Sequence, residues 1–277
     1  MARARPRKSR PKEGTGSLLR LILTVAIIAW VIRSFIFAPF SIPSGSMLPT
    51  LYIGDYLMVA KWPYGFSRHS FPFQFPPISS RLLSHLPERG DVVVFVPPAH
   101  EQEDYVKRVI GLPGDTVELR NGRLMLNGQQ VRQQKAEPVS IPVSANSPCR
   151  RVGDLGTGIA TGDDKACSYG AYRETLPNGA SYTVLDQVAG SAGDDFGPVK
   201  VPAGKLFLMG DNRDDSLDSR FSTAEGGIGF VPMENLVGRA TILFWSTDGS
   251  SSYLKPWTWF SALRGSRLGT FLSPGGK

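Results

Sequence analysis

The sequence predicts a mostly β, antiparallel domain carried behind one N-terminal membrane-spanning helix. Three observations lead there. An apolar run lies near the N-terminus, short β-rich runs divided by Asn-Gly pairs follow, and beyond the first run no long stretch repeats with a helical period.

The apolar run covers residues 18–40, broken by Arg20 and Arg33. At about 1.5 Å per residue such a helix reaches roughly 35 Å, enough for a hydrocarbon core of ~30 Å. Both arginines sit toward the ends, where long side chains reach the headgroups. The uninterrupted core, 21–32, is short enough to read as the apolar part of a cleavable export signal. Ala38-Pro39 argues against that reading, because it offers no small-x-small site and puts a proline just after the bond to be cut. A retained anchor is therefore expected.

Residues 1–17 form a basic tail with Arg3, Arg5, Arg7, Lys8, Arg10 and Lys12 and no acid among the first twelve residues. The positive-inside rule keeps this tail cytoplasmic and sends residues 41–277 outward. The tail also explains the basic composition. The chain has 31 Lys+Arg and 24 Asp+Glu, and without those six cations the balance is 25 to 24. Nucleic-acid binding has no support from so even a charge.

Within 41–277, Val-Glu-Leu-Arg and Arg-Leu-Met-Leu flank Asn121-Gly122, and Asn127-Gly128 follows, the residue pair favoured in tight hairpin turns. Residues 91–96, 105–110, 205–209 and 237–245 are further β-rich runs between Gly and Pro. Two regions read as insertions. Residues 66–77 are aromatic and proline-rich without a clean period, either capping the core or dipping into the lipid interface. Residues 138–198 are poorer in apolar side chains and hold both cysteines, Cys149 and Cys167. These are too far apart for a redox Cys-x-x-Cys pair and lack companions for a four-ligand metal site. In an oxidising compartment a disulfide pinning this loop is expected; two buried free thiols are the other reading. At the C-terminus Trp257, Trp259, Phe260, Arg264 and Arg267 combine aromatics with cations; they are expected to pack on the domain, contact with lipid headgroups being the other reading.

The chemistry narrows by elimination. His69, His85 and His100 fall in loop-like positions, and no Gly-x-Ser-x-Gly elbow accompanies them. His-Glu-x-x-His, Walker A and Gly-x-Gly-x-x-Gly are absent. Asp211, Asp214, Asp215 and Asp218 crowd together, but Arg213 and Arg220 interleave with them, so a salt-bridged turn is expected rather than a metal site. A serine nucleophile without histidine leaves lysine as the practical base. Lys107, on a probable strand with Val106, Val109 and Ile110, is the lysine that stands out, because burial lowers a lysine's pKa; taken alone, a solvated residue at a strand edge is the better reading of it. Ser46, in Ser44-Gly45-Ser46 just beyond the apolar run, is the candidate nucleophile.

Three segments, in order, closely resemble the motifs of bacterial type I signal peptidases: Pro43-Ser-Gly-Ser-Met-Leu-Pro-Thr, Lys107-Arg-Val-Ile-Gly-Leu-Pro-Gly-Asp115 and Gly210-Asp-Asn-Arg-Asp-Asp-Ser-Leu-Asp-Ser-Arg220. Phe230-Val-Pro and Asn235-Leu-Val-Gly-Arg-Ala240 extend the likeness. The resemblance implies a Ser/Lys dyad, with Ser46 as nucleophile and Lys107 as base, no metal and no organic cofactor. It implies that Ser44 helps form the oxyanion hole, that Ser216 orients the lysine by a hydrogen bond, and that Asp218 with Arg220 and Arg108 with Asp211 form supporting ion pairs. It implies substrate pockets bordered by Ile42, Pro43, Ser44, Met47, Leu51 and Tyr105 for the residue before the cut (P1), and by Phe40, Ile42 and Leu57 for the residue two earlier (P3). The substrate backbone would pair beside Asp104, Tyr105 and Val106.

The function so implied is removal of signal peptides from exported preproteins at the outer, periplasmic face of the bacterial cytoplasmic membrane. Signal peptides and membrane lipid are the expected partners, and the oligomeric state is left open. A related protease dedicated to one secretion or conjugation substrate would share this active site. A non-catalytic anchored scaffold binding secretion partners would not need both dyad residues.

Overall fold

The computed structural model describes residues 15–149, 159–160, 165–252 and 254–272. Helix α1 (Thr15–Phe35) is exposed along almost all its length, and Gly16–Phe35 is long and apolar enough to cross a membrane. The helix ends earlier than the apolar run. Residues Phe37–Ser41 form β1 instead, so the last four residues of the expected span, 37–40, belong to the domain. Pro39 lacks the N–H a helix needs and disfavours helical geometry at Ala38, while the aromatic neighbours suit a strand.

Seven strands make the main sheet: β1, β2 (Asp55–Ala60), β3 (Val92–Phe95), β4 (Tyr105–Gly111), β13 (Lys205–Met209), β14 (Val231–Pro232) and β15 (Leu236–Ser246). Their order is β1-β2-β15-β3-β4-β13-β14, all antiparallel. The run Val-Val-Val-Phe of β3 is buried on both faces because the sheet is covered on both. Val92 and Val94 pack with Ile42, Met47, Leu51 and Leu57, whereas Val93 and Phe95 pack with Val109, Leu206 and Leu208.

A second sheet joins β12 (Phe196–Lys200), β5 (Thr116–Arg120), β6 (Arg123–Leu126) and β7 (Gln129–Gln130). Asn121, Gly122, Asn127 and Gly128 all take positive φ, as the two tight turns demand. The third sheet joins β11 (Ser181–Leu185), β10 (Ala166–Thr175) and β8 (Arg132–Pro142), with β9 (Ile159–Ala160) beside β10. This sheet occupies most of the expected insertion but starts six residues earlier, inside β8. The Cys149–Cys167 disulfide ties the segment after β8 to β10, with Cα atoms 5.7 Å apart.

Three one-turn 3-10 segments lie between residues 62 and 74. Their aromatics close on the end of α1: Phe71 stacks on Trp30, and Phe35 meets Phe66 and Phe71 edge-on. Phe73 and Phe75 stay exposed. The C-terminal arginines pack as expected, with Arg267 over the Tyr52 ring and paired to Asp55. Trp257 and Phe260 do not, and remain largely exposed. His69 is buried rather than superficial, which lowers its pKa.

Candidate active site

Ser46 lies in the turn between β1 and β2. Its carbonyl accepts the Asn212 N–H at 3.1 Å, and Asn212 Nδ2 donates to the Gly45 carbonyl, so the turn is fastened to the segment after β13. Lys107 is on β4, opposite Val93 of β3. Strand alternation sends its side chain toward the turn, where Nζ stands 2.6 Å from Ser46 Oγ.

Lys107 is 5% exposed, and burial brings its pKa down from 10.5 to about 8, against the attraction of Asp218, Asp211 and Asp215. Desolvation outweighs three nearby carboxylates because two of them are already committed. Asp218 is bound by Arg220 at 2.9 and 3.0 Å and accepts the Gly210 N–H, and these bonds hold its own pKa low. Asp211 is gripped by Arg108 at 2.7 and 2.6 Å. A lysine that loses its proton near neutrality, in contact with a hydroxyl, can act as that hydroxyl's base.

Ser44 Oγ is 3.4 Å from Ser46 Oγ, and among the described residues the Ser46 backbone N–H has no protein acceptor. The N–H is thus free for a third group, with the Ser44 hydroxyl, which can donate to or accept from Ser46 Oγ, beside it. Ser216 is placed differently from the expectation. Its Oγ is buried in the same site but has no hydrogen-bond partner, so no bond joins it to Lys107. The close packing around Gly210 explains its location: a Cβ there would lie 2.3 Å from Ser216 Oγ and 2.6 Å from the Ser46 carbonyl.

A groove of about 930 Å³ opens over these residues. Phe40, Ile42, Pro43, Ser44 and Met47 form one wall, and Asp104, Tyr105 and Val106 another. Leu51 and Leu57 do not line it. Both are wholly buried and pack behind Ile42 and Met47, Leu51 from the turn after β1 and Leu57 from the inward face of β2. No histidine lines the groove.

Sequence reasoning missed the third wall, Val188, Ser191 and Ala192, which comes from the loop after β11. Asp214 fixes that loop by accepting the N–H groups of Gln187 and Val188, so the acidic turn does more than pair with its own arginines. Arg213 likewise reaches out of the turn to Glu174 of β10, a fully buried pair that also receives the Tyr182 hydroxyl. Tyr182 in turn lies under the Arg108 guanidinium, 4.2 Å from its ring centre. Asn212 and Arg213 stand inside a recognised motif; nothing in the sequence marks Glu174 or Tyr182.

The sequence profile described as signal peptidase, peptidase S26, matches residues 15–245. Signal peptidase I of Rickettsia typhi is 36% identical over 231 residues, covering 80% of this chain and 77% of that protein. Signal peptidase I of Rickettsia canadensis is equally similar, and that of Rickettsia prowazekii is 35% identical over the same extent. A solved signal peptidase I from Enterococcus faecalis is 25% identical and covers 56% of this chain and 97% of its own, with a TM-score of 0.29. With a profile match spanning most of its length and relatives at this identity, the chain belongs to the signal peptidase family of peptidase S26.

Proposed function

We propose that the protein is a membrane-anchored serine endopeptidase that removes signal peptides from exported preproteins by a Ser46/Lys107 dyad. The observation that carries this is the 2.6 Å approach of a buried lysine, pKa about 8, to the hydroxyl of Ser46. Neutral Lys107 takes the Ser46 proton as Oγ attacks the scissile carbonyl. The oxyanion receives hydrogen bonds from the Ser44 hydroxyl and the Ser46 backbone N–H. The lysine ammonium gives its proton to the departing amine, and the neutral amine then activates the water that hydrolyses the ester.

The pocket walls support alanine at P1, against Ile42, Met47 and Tyr105, and at P3, against Phe40 and Ile42. A bulky or charged side chain there must overpack the wall or give up its hydration. β1 is the edge strand of its sheet, so an extended substrate can pair along its open side. The basic N-terminal tail supports a cytoplasmic N-terminus, with α1 in the cytoplasmic membrane and the groove on its outer face. The test is conversion of a labelled Ala-x-Ala preprotein in detergent or vesicles. Ser46→Ala and Lys107→Ala should each abolish it, by several orders of magnitude, since nucleophile and base act as a unit. Substantial turnover by Lys107→Ala would remove the lysine from the mechanism.

A further inference from the structure

Beside the groove lies a second cleft, of about 730 Å³, between β1, the segment before β4 and the end of α1. Phe40, Glu103 and Asp104 border both, so the two are continuous. Its walls include Arg33, Ala38, Lys61 and Val96. Lys61, the residue after β2, is 4% exposed. Its ammonium hangs 5.6 Å over the Phe40 ring and, among the described residues, has no hydrogen bond or ion pair. Burial lowers its pKa to about 8, with Asp104 partly opposing and Arg33 reinforcing. At neutral pH it still carries a proton. Facing the open cleft with no hydrogen-bond acceptor among the described residues, this ammonium can donate to a bound ligand's oxygen.

The strand register says which ligand oxygen arrives there. With P1 against Ile42 and P3 against Phe40, as the proposed function has them, each two residues back along the substrate would correspond to two residues back along β1, the spacing of parallel extended chains. Ala38 shares a face with Phe40 and is the next position, about 7 Å further on. It opens into the second cleft. We propose that this cleft continues the substrate groove and binds the polar segment of the signal peptide at P5 and P6, with Lys61 Nζ donating a hydrogen bond to a substrate oxygen. The inference rests on the proposed function and adds to it a specificity-determining residue upstream of the alanine pockets. Arg33, in the last turn of α1, lines the far side of the same cleft.

The experiment uses the full chain in nonionic detergent with two peptides sharing one Ala-x-Ala site, one beginning at P4 and the other at P7. In the wild type the longer peptide should have a KM about tenfold lower at similar kcat, the worth of one hydrogen bond to a charged donor. In Lys61→Met, which keeps the apolar stem, that gain should shrink to about twofold or less. A wild type indifferent to length, or a variant that keeps the full gain, overturns the inference. Should Lys61→Met not fold, a photoreactive residue at P5 in the inactive Ser46→Ala chain should label peptides containing Ala38 or Lys61. Labelling of residues 188–192 instead overturns it. If Lys61→Met loses binding to phosphatidylglycerol vesicles while its length dependence is unchanged, the cleft holds a lipid phosphate and the inference fails. Ser46-dependent cleavage of neither peptide would refute the proposed function itself, whereas cleavage without length dependence refutes only the second cleft.

Discussion

Replacing Lys107 by methionine should destroy activity and yet make the protein more stable at neutral pH. In the folded chain burial depresses the lysine from 10.5 to about 8. With a tenfold change in protonation worth about 1.4 kcal/mol, holding that ammonium at pH 7 costs roughly 3 kcal/mol. The group is 5% exposed, so solvent screening removes little of this cost. Methionine fills similar space without charge. The variant forfeits the bond from the charged amine to Ser46, worth about 1.5 kcal/mol, leaving a net gain of about 1.5 kcal/mol at pH 7. The pH dependence has a definite sign. Below pH 8 both folded and unfolded chains hold the proton and the cost is complete. Between pH 8 and 10.5 the folded chain has released it while the unfolded chain has not, so wild-type stability rises with pH relative to the variant. Above 10.5 the cost is gone. Urea unfolding of both full-length proteins in nonionic detergent at pH 7, 8, 9 and 10 reads the difference directly. A Lys107→Met protein no more stable than wild type at pH 7, or a difference flat with pH, would show that burial does not suppress the ammonium and would undercut the lysine as a ready base.

The same depressed pKa predicts that kcat/KM rises with pH to a plateau above about 8; a rising limb that shifts when His69 is replaced would refute it. Gly210→Ala places a Cβ 2.3 Å from Ser216 Oγ and 2.6 Å from the Ser46 carbonyl, so the two loops must part and kcat/KM should fall at least about a hundredfold, the scale of a 1 Å misplacement. Glu174→Gln strands the buried Arg213 guanidinium and should cost about 3–5 kcal/mol in denaturant unfolding, while Glu174→Leu combined with Arg213→Met recovers most of it. Replacing Cys149 and Cys167 by serine opens a loop of 18 residues and should cost about 3 kcal/mol of stability in the chain-entropy picture, with turnover unaffected because neither lines the groove.

The residues of this fold differ in how openly they declare their place. The turns at Asn121-Gly122 and Asn127-Gly128 are legible because positive φ at two successive positions selects those side chains. Ser46 and Lys107 are legible because a serine without a histidine needs a lysine, and because the flanking motifs occur in order. The end of α1 is not, since 36–40 are as apolar as the helix and only Pro39 signals the change to a strand. β8 escapes because its faces are polar and a single position, Ile141, is fully buried, whereas β10 alternates at 167, 169 and 171 but puts Cys, Tyr and Ala there and a glutamate at 174, too weak an apolar pattern to read. Glu174 is invisible for another reason: a carboxylate is tolerable at zero exposure only beside Arg213, 39 residues away, and one sequence carries no trace of that pairing. Leu51 and Leu57 show the limit in the opposite direction. Their apolar character suits a pocket wall and a core equally, and only the fold decides between them.

The junction of α1 and β1 has a mechanical consequence. A single residue, Ile36, separates helix from strand; its N–H donates to Ile32 and its carbonyl accepts from Lys61, and rings from residues 66 and 71 brace the helix end. There is no hinge here. With α1 in the bilayer, Ser46 would ride at a fixed height, like the jaw of a caliper whose shaft is the helix. A preprotein is then gauged by the number of residues between the end of its apolar segment and the bond to be cut, apart from any side chain it presents. Two flexible residues inserted after Ile36 would loosen the caliper, broadening the lengths accepted while leaving the alanine preference in place.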